Sequence, residues 1–285
     1  MIKREDVAGV AVVQLAHGPV NALDLDLVNA ITATFRELDA GDEQAVVLTG
    51  AGRAFSAGVD LWRVVEGGPE YAQAYVPALV DAFEAVFTCA KPVVAAVNGH
   101  AVAGGAILTS GCDYRLMADG PGRIGVSELL VGVAFPTSAL EILSFALGPV
   151  LARRAVLEAD TYEPATALAR GFIDEVVPAE RLLDSAVAAA RRLADLTPPA
   201  TYAMTKRQLR AEAMERIHRL RPRFDAEAVE LWMERARDGR IRDYMERVTS
   251  RRAGKSSPDG SSSGGSPVGG SPVGGSAADR SPTTG

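Results

Sequence analysis

Two short apolar runs constrain this chain more than any other feature: Ala45-Val46-Val47-Leu48-Thr49 and Pro92-Val93-Val94-Ala95-Ala96-Val97. Both read as buried strands, too short and too rich in valine for helices. Each runs into a glycine-marked segment. The first is Gly52-Arg53-Ala54-Phe55-Ser56-Ala57-Gly58-Val59-Asp60-Leu61; the second is Asn98-Gly99-His100-Ala101-Val102-Ala103-Gly104-Gly105-Ala106-Ile107. Between them, residues 69–87 place Tyr71, Tyr75, Leu79, Phe83 and Val86 on one helical face. Strands alternating with helices predict an α/β core with crossover connections.

The same pattern extends both ways. Val7 to Leu15 reads as a strand, and a helix follows near Asp24 to Leu38, with Asp24 or Asp26 able to cap it. A helix should begin near Ala103-Gly104. Tyr114 to Ala118 and Arg123 to Val126 read as strands. Helices then dominate, near Pro136 to Ala146, Pro149 to Glu158, Pro164 to Ala169 and Glu180 to Leu196. A last helical block spans Ala200 to Val248, with interruptions expected at Pro222 and Gly239. From Gly254 the chain turns to Gly, Ser, Pro and Thr and repeats Ser-Pro-Val-Gly-Gly at residues 266–275. Such a tail has too little apolar surface to offset its ordering entropy. The expected organisation is a core over residues 1–197, a helical region over 198–253 and a disordered tail over 254–285.

Several function classes are disfavoured. A formal net charge of −6 gives no overall basic field toward nucleic acid or anionic membrane. There is no apolar run long enough to span a bilayer, and Met1-Ile2-Lys3-Arg4-Glu5-Asp6 lacks the apolar core of a signal peptide, so a cytoplasmic protein is expected. Cys89 and Cys112 fit neither a metal site nor a disulfide framework and read as buried thiols. No metal spacing, Walker loop, dinucleotide fingerprint or nucleophilic triad is present.

What remains is chemistry beside a carbonyl. Gly58 permits a sharp backbone bend after a strand, and small neighbours let a ligand approach the main chain. Gly104-Gly105 sits at an expected helix start, where unpaired N–H groups suit an oxygen that gains negative charge. Ordinary turns and tight helix–strand packing would use the same glycines. Glu128 follows Ile124-Gly125-Val126-Ser127 and precedes Leu129-Leu130-Val131, surroundings that raise a carboxyl pKa and suit proton transfer near neutral pH. A surface glutamate at a helix start is the plainer reading of that residue alone. His100 beside a strand end reads as structural.

Taken together and in order, these segments resemble the crotonase family, the enoyl-CoA hydratase/isomerase superfamily. The likeness begins at Pro19-Val20-Asn21-Ala22-Leu23 and ends at Gly171-Phe172-Ile173-Asp174-Glu175-Val176-Val177-Pro178. The resemblance implies a spiral of ββα repeats with a helical C-terminal trimerisation region, assembled as trimers or hexamers. It implies an acyl-CoA thioester substrate, with CoA part of the substrate and no separate cofactor. It places an oxyanion hole at the N–H groups of Val59 and Gly104, substrate contacts at Ala57, Gly58, Asp60, Leu61 and Gly105, and acid/base catalysis at Glu128.

One departure bears on the reaction. The hydratases of this family use two glutamates; Glu128 matches the second, and Ile107 stands where the first would be. Removing one positioned acid/base group costs about 10²- to 10⁴-fold. A single carboxylate suits the shift of a double bond from the 3- to the 2-position of an enoyl thioester, and Pro19-Val20-Asn21, Ala103-Gly104-Gly105 and Ser127-Glu128-Leu129 look more like Δ3,Δ2-enoyl-CoA isomerases. The alternatives are a hydratase, hydrolase or decarboxylase with Glu141 or Glu66 as second group, or a non-catalytic acyl-CoA-binding protein. The basic residue that many members carry near Val20 to hold CoA is absent. Trp62, Tyr71 and Tyr75 are candidates to shape the acyl end, with core packing as the plainer role.

Overall fold

The structure, a computed structural model, describes residues 1–255, so the expected tail lies outside the described residues beyond Lys255. The chain opens with a hairpin of β1 (Ile2–Val7) and β2 (Val10–Leu15) where one strand was expected from Val7. Ala8 and Gly9 both take positive φ, 55° and 81°, as a two-residue hairpin turn demands. The sequence hid β1 because Lys3, Arg4, Glu5 and Asp6 are exposed on an edge strand, where charge blocks unwanted pairing.

The core then repeats one unit. Helix α1 (Leu25–Ala40) is capped by Asp24, whose carboxylate accepts from Leu27 N at 2.8 Å. A long strand, a short strand and a helix follow: β3 (Ala45–Gly50), β4 (Ala54–Ser56), α2 (Leu61–Thr88). The unit recurs as β5 (Val93–Val97), β6 (His100–Val102), α3 (Gly104–Ser110), and again as β7 (Tyr114–Ala118), β8 (Ile124–Gly125), α4 (Glu128–Val131). Helices α5 (Thr137–Leu147) and α6 (Pro149–Glu158) come next. Then follow β9 (Thr161–Tyr162), α7 (Pro164–Ala169), β10 (Glu175–Val177) and α8 (Leu182–Ala194). The long strands build a six-stranded sheet, β1-β2-β3-β5-β7-β10, and the short ones a four-stranded sheet, β4-β6-β8-β9. This is the expected spiral of ββα turns.

The apolar runs are buried on both faces. Val10, Val12, Val47, Val94, Ala96 and Leu116 meet α8 through Leu182, Ala186 and Ala190. The alternate residues Val13, Val46, Leu48, Val93 and Ala95 meet α1 and α2 through Ile31, Phe35 and Phe83. The expected helix over residues 69–87 is the second part of α2. A first part, Leu61 onward, joins it across a kink at Gly68 (φ 66°, ψ −159°), with Pro69 starting the new segment.

Helix α9 (Pro199–Arg237) runs unbroken through Pro222, contrary to the expected interruption. Pro222 is exposed, so the lost backbone bond lies on the side of the helix where water can replace it. The break comes at Gly239 (φ 82°), before α10 (Arg240–Lys255). The C-terminal helices dock on the core of their own chain. Buried Lys206 and Arg210 of α9 reach Asp113 at 2.6 and 2.7 Å, and Arg221 pairs with Glu84 of α2. Cys89 and Cys112 are free and buried, as expected, and burial pushes the Cys112 thiol up to about 12. Among the described residues no helix is long and apolar enough to cross a membrane.

Candidate active site

Asn21 organises the site. It is fully buried with φ 51°, a conformation asparagine tolerates, and its Nδ2 donates to Ala54 O at 2.9 Å while Oδ1 accepts from His17 N at 2.9 Å. Ser56 Oγ donates to Asn21 O at 2.8 Å and accepts from Gly58 N at 3.1 Å. Backbone bonds continue the lacing: Ala57 N to Val20 O at 3.0 Å, Leu23 N to Gly58 O at 2.8 Å, Asp60 N to Leu23 O at 2.9 Å. In this parallel bridge of Leu23 with Val59, the neighbours of Val59 make the bonds. The N–H of Val59 therefore points away, and among the described residues it has no backbone acceptor.

Gly58 brings the second turn alongside. It has φ 82°, and a Cβ there would stand 2.5 Å from Val102 O, 2.9 Å from Ala103 Cβ and 3.3 Å from Gly104 N. Nothing larger than glycine fits between the two turns. Ala103 itself is held at φ 51°, ψ −120°, a costly conformation for a residue with a side chain. Its carbonyl takes the N–H groups of Ala106 and Ile107, leaving that of Gly104 at the open start of α3. Gly105 packs its Cα face onto the backbone of Ser56, where a Cβ would stand 2.5 Å from Ser56 O.

A cavity of about 470 Å³ opens over these turns. Ala57, Val59, Asp60, Leu61, Ala103 and Glu128 are in its wall. Gly58, Gly104 and Gly105 belong to the two turns but are not among the residues of its wall. Glu128 starts α4, is 8% exposed, and leaves Oε2 buried without a partner. Burial pushes its carboxyl up to about 7, against the opposing pull of the backbone N–H groups of Glu128 and Ser127. Asp60, the other carboxylate in the wall, is taken up as the cap of α2, accepting from Trp62 N and Arg63 N at 3.1 Å each. Among the described residues no cluster fit to hold a metal ion exists.

Other candidates fall elsewhere. Ile107 is 1% exposed and packs in the core, outside the cavity wall. Glu141 is bound to Arg216 at 2.8 Å and Glu66 is exposed on α2; neither lines the cavity, so neither replaces a missing second glutamate. Trp62 and His100 do line it. Tyr71 and Tyr75 do not; they stack at 5.6 Å and hold the segment after Asn21, with Tyr75 Oη donating to Leu23 O at 2.8 Å and Tyr71 Oη accepting from Leu25 N at 2.9 Å.

Sequence reasoning missed two groups. Trp232 of α9, which donates to Ala134 O at 2.8 Å, and Tyr244, Met245 and Val248 of α10 all reach the cavity. Ile241, Tyr244, Met245 and Val248 fall at i, i+3, i+4 and i+7, a stripe that could have flagged α10 as a packed helix. His17 also lines the cavity, its Nε2 2.7 Å from Asp24 Oδ2; no spacing in the sequence signals that pair.

The family whose description is enoyl-CoA hydratase/isomerase matches residues 5–247. The chain belongs to the enoyl-CoA hydratase/isomerase family. Within it, the solved structure of human mitochondrial Δ3-Δ2-enoyl-CoA isomerase superposes with a TM-score of 0.79 at 28% identity, covering 90% of this chain and 99% of the human one. The mouse mitochondrial enoyl-CoA delta isomerase 1 is 34% identical over 185 residues, 64% of each chain, so the alignment spans less than two thirds of that relative. A putative enoyl-CoA hydratase of Thermus thermophilus is 36% identical over 67% of this chain and 76% of the relative. Relatives named as isomerase and as hydratase thus stand at similar distances.

Proposed function

We propose that the protein is an enoyl-CoA isomerase that moves the double bond of a 3-enoyl-CoA to the 2-position. One observation carries the reading: Glu128, buried with its Oε2 unpartnered, shares a cavity wall with Val59, whose main-chain N–H is free, beside the open helix start at Gly104, and the other carboxylate in that wall, Asp60, is taken up as a helix cap. The C2 proton of a 3-enoyl thioester lies between alkene and carbonyl and is acidic. Glu128, ionised, takes it. The electron pair moves into a dienolate whose charge sits on the thioester oxygen, where Val59 N–H and Gly104 N–H receive it. The protonated Glu128 then returns the proton at C4 and leaves the 2-enoyl thioester. No water is consumed, and one group serves as base and then as acid. A pKa of about 7 fits both roles.

Hydration asks for more. Water must be oriented and deprotonated while the α-carbon gains a proton, and Ile107 offers no group for that. Ala57, Gly58, Asp60, Leu61 and Gly105 shape the path of the thioester and CoA, which is substrate here and not a cofactor. Large apolar side chains left exposed, Leu157 at 70%, Leu196 at 72% and Leu209 at 68%, support assembly into a homotrimer or hexamer.

The test is incubation with a 3-enoyl-CoA in D₂O, followed by mass spectrometry and NMR. The expected result is migration to the 2-enoyl-CoA with little 3-hydroxyacyl-CoA. Dominant 3-hydroxyacyl product would make the protein a hydratase. Binding without migration or exchange would make it a binding protein.

A further inference from the structure

The turn that carries Glu128 is held to the core only at its far end, by Val131 and Val133. Helix α4 is four residues long, and Leu129 and Leu130 are 44% and 55% exposed. Glu128 is buried with Oε2 unpartnered, so desolvation pulls the carboxyl toward water. Besides the burial of Val131 and Val133, the cap ties its backbone: Gly132 N and Val133 N both donate to Glu128 O, at 3.0 and 3.2 Å. That cap requires Gly132 at φ 90°.

Arg240, the first residue of α10, lies directly over this glycine. A Cβ at position 132 would stand 2.2 Å from Arg240 Nε and 2.8 Å from its Cδ. The guanidinium therefore covers the C-terminal end of α4, where helix carbonyls favour a cation. Ile241 beside it is fully buried and anchors the start of α10, while Tyr244, Met245 and Val248 of the same helix enter the cavity that holds Glu128.

We infer that Arg240 is a positioning residue: laid over Gly132, it clamps the cap of α4 and keeps Glu128 turned into the cavity while α10 is seated. This rests on the reading of Glu128 as the acid/base. The titratable groups around the same cavity are Asp60 of α2, His17 of the β2–α1 loop, His100 of β6 and Tyr244 of α10, and α6 beside α4 carries Arg153 and the Arg154–Glu158 pair. None of them causes the upward shift of Glu128, which comes from burial. Loosening the turn is therefore what changes it.

Titration of Glu128 in the full chain by carbon-13 NMR of labelled glutamate, assigned with Glu128→Gln, tests this without a substrate. In the unaltered chain the transition is expected at about 7. In Arg240→Ala it is expected to move down by about one unit as water reaches the carboxyl, and Arg240→Lys should bring it part of the way back. With 3-enoyl-CoA, Arg240→Ala should lower kcat about tenfold with KM little changed. An unchanged Glu128 titration in Arg240→Ala overturns the proposal. If the titration moves but neither protein shifts the double bond, the isomerase reading fails and the clamp stands.

Discussion

At the scale of the residue, Glu128 is the acid/base of the proposed reaction and carries a penalty. Glu128→Gln should lower double-bond migration by about 10³-fold or more while acyl-CoA still binds, checked by turnover and by calorimetric titration. Unchanged turnover would remove Glu128 from the mechanism. The pH dependence follows from the same burial. As base, Glu128 must be ionised, so kcat/KM should fall as pH drops below about 7. The effect on stability has the opposite sense. The folded chain holds this proton up to about 7 and the unfolded chain only to about 4.5, so stability falls as pH rises between the two. The full cost above that window is about 3 kcal/mol. Glu128→Gln should therefore melt higher than the unaltered chain at pH 8, with the gain shrinking toward pH 5, as differential scanning calorimetry would show. The apolar neighbours of Glu128 made its raised pKa legible in the sequence. The His17–Asp24 pair was not legible, because nothing in residue spacing tells which loop folds over which helix cap.

At the scale of the element, long apolar strands and amphipathic helices were readable, and of the short strands only β8, read over residues 123–126, was. β4, β6 and β9 have two or three residues each, too few for any period to register, and they exist because the spiral brings their edges together. Pro222 misled for a related reason: its cost depends on which side of the helix it faces, and one sequence does not show that. Joints between elements are where substitutions should tell most. Gly58→Ala forces a methyl to within 2.5 Å of Val102 O at a φ of 82°. It should cost about 1–3 kcal/mol in chemical denaturation and abolish migration by prising the two turns apart. Asp113 is the anchor of α9, accepting from buried Lys206 and Arg210 and from Val93 N at 2.8 Å. Asp113→Ala strands two buried cations and should destabilise the chain by about 3–5 kcal/mol, read from the urea midpoint.

At the scale of the whole molecule, the ββα spiral explains why the site appears in sequence order. Each turn of the spiral ends at the junction of a short strand and a helix, and these junctions stack: residues 56–60, then 102–104, then 125–128. That order is what made the family resemblance legible before any side chain was placed. The cavity's far wall was not legible, since it comes from α9 and α10, more than 100 residues later in the chain. Assembly is the remaining property at this scale. Native mass spectrometry at micromolar concentration is expected to show trimers or hexamers, and Leu209→Asp with Leu196→Asp to shift them to monomer; a monomer in the unaltered chain would contradict this.

The two donors over the cavity are main-chain groups, which separates the chemistry of the site from its mutational map. Replacing the Val59 side chain leaves its N–H where it was, so a scan of side chains would pass over one of the groups proposed to receive the negative charge. Sensitivity would surface instead at Asn21, Ser56 and Gly58, residues that touch no substrate and only keep the two turns abreast. A survey of tolerated substitutions would outline the scaffold of the site and leave blank the atoms it was built to present.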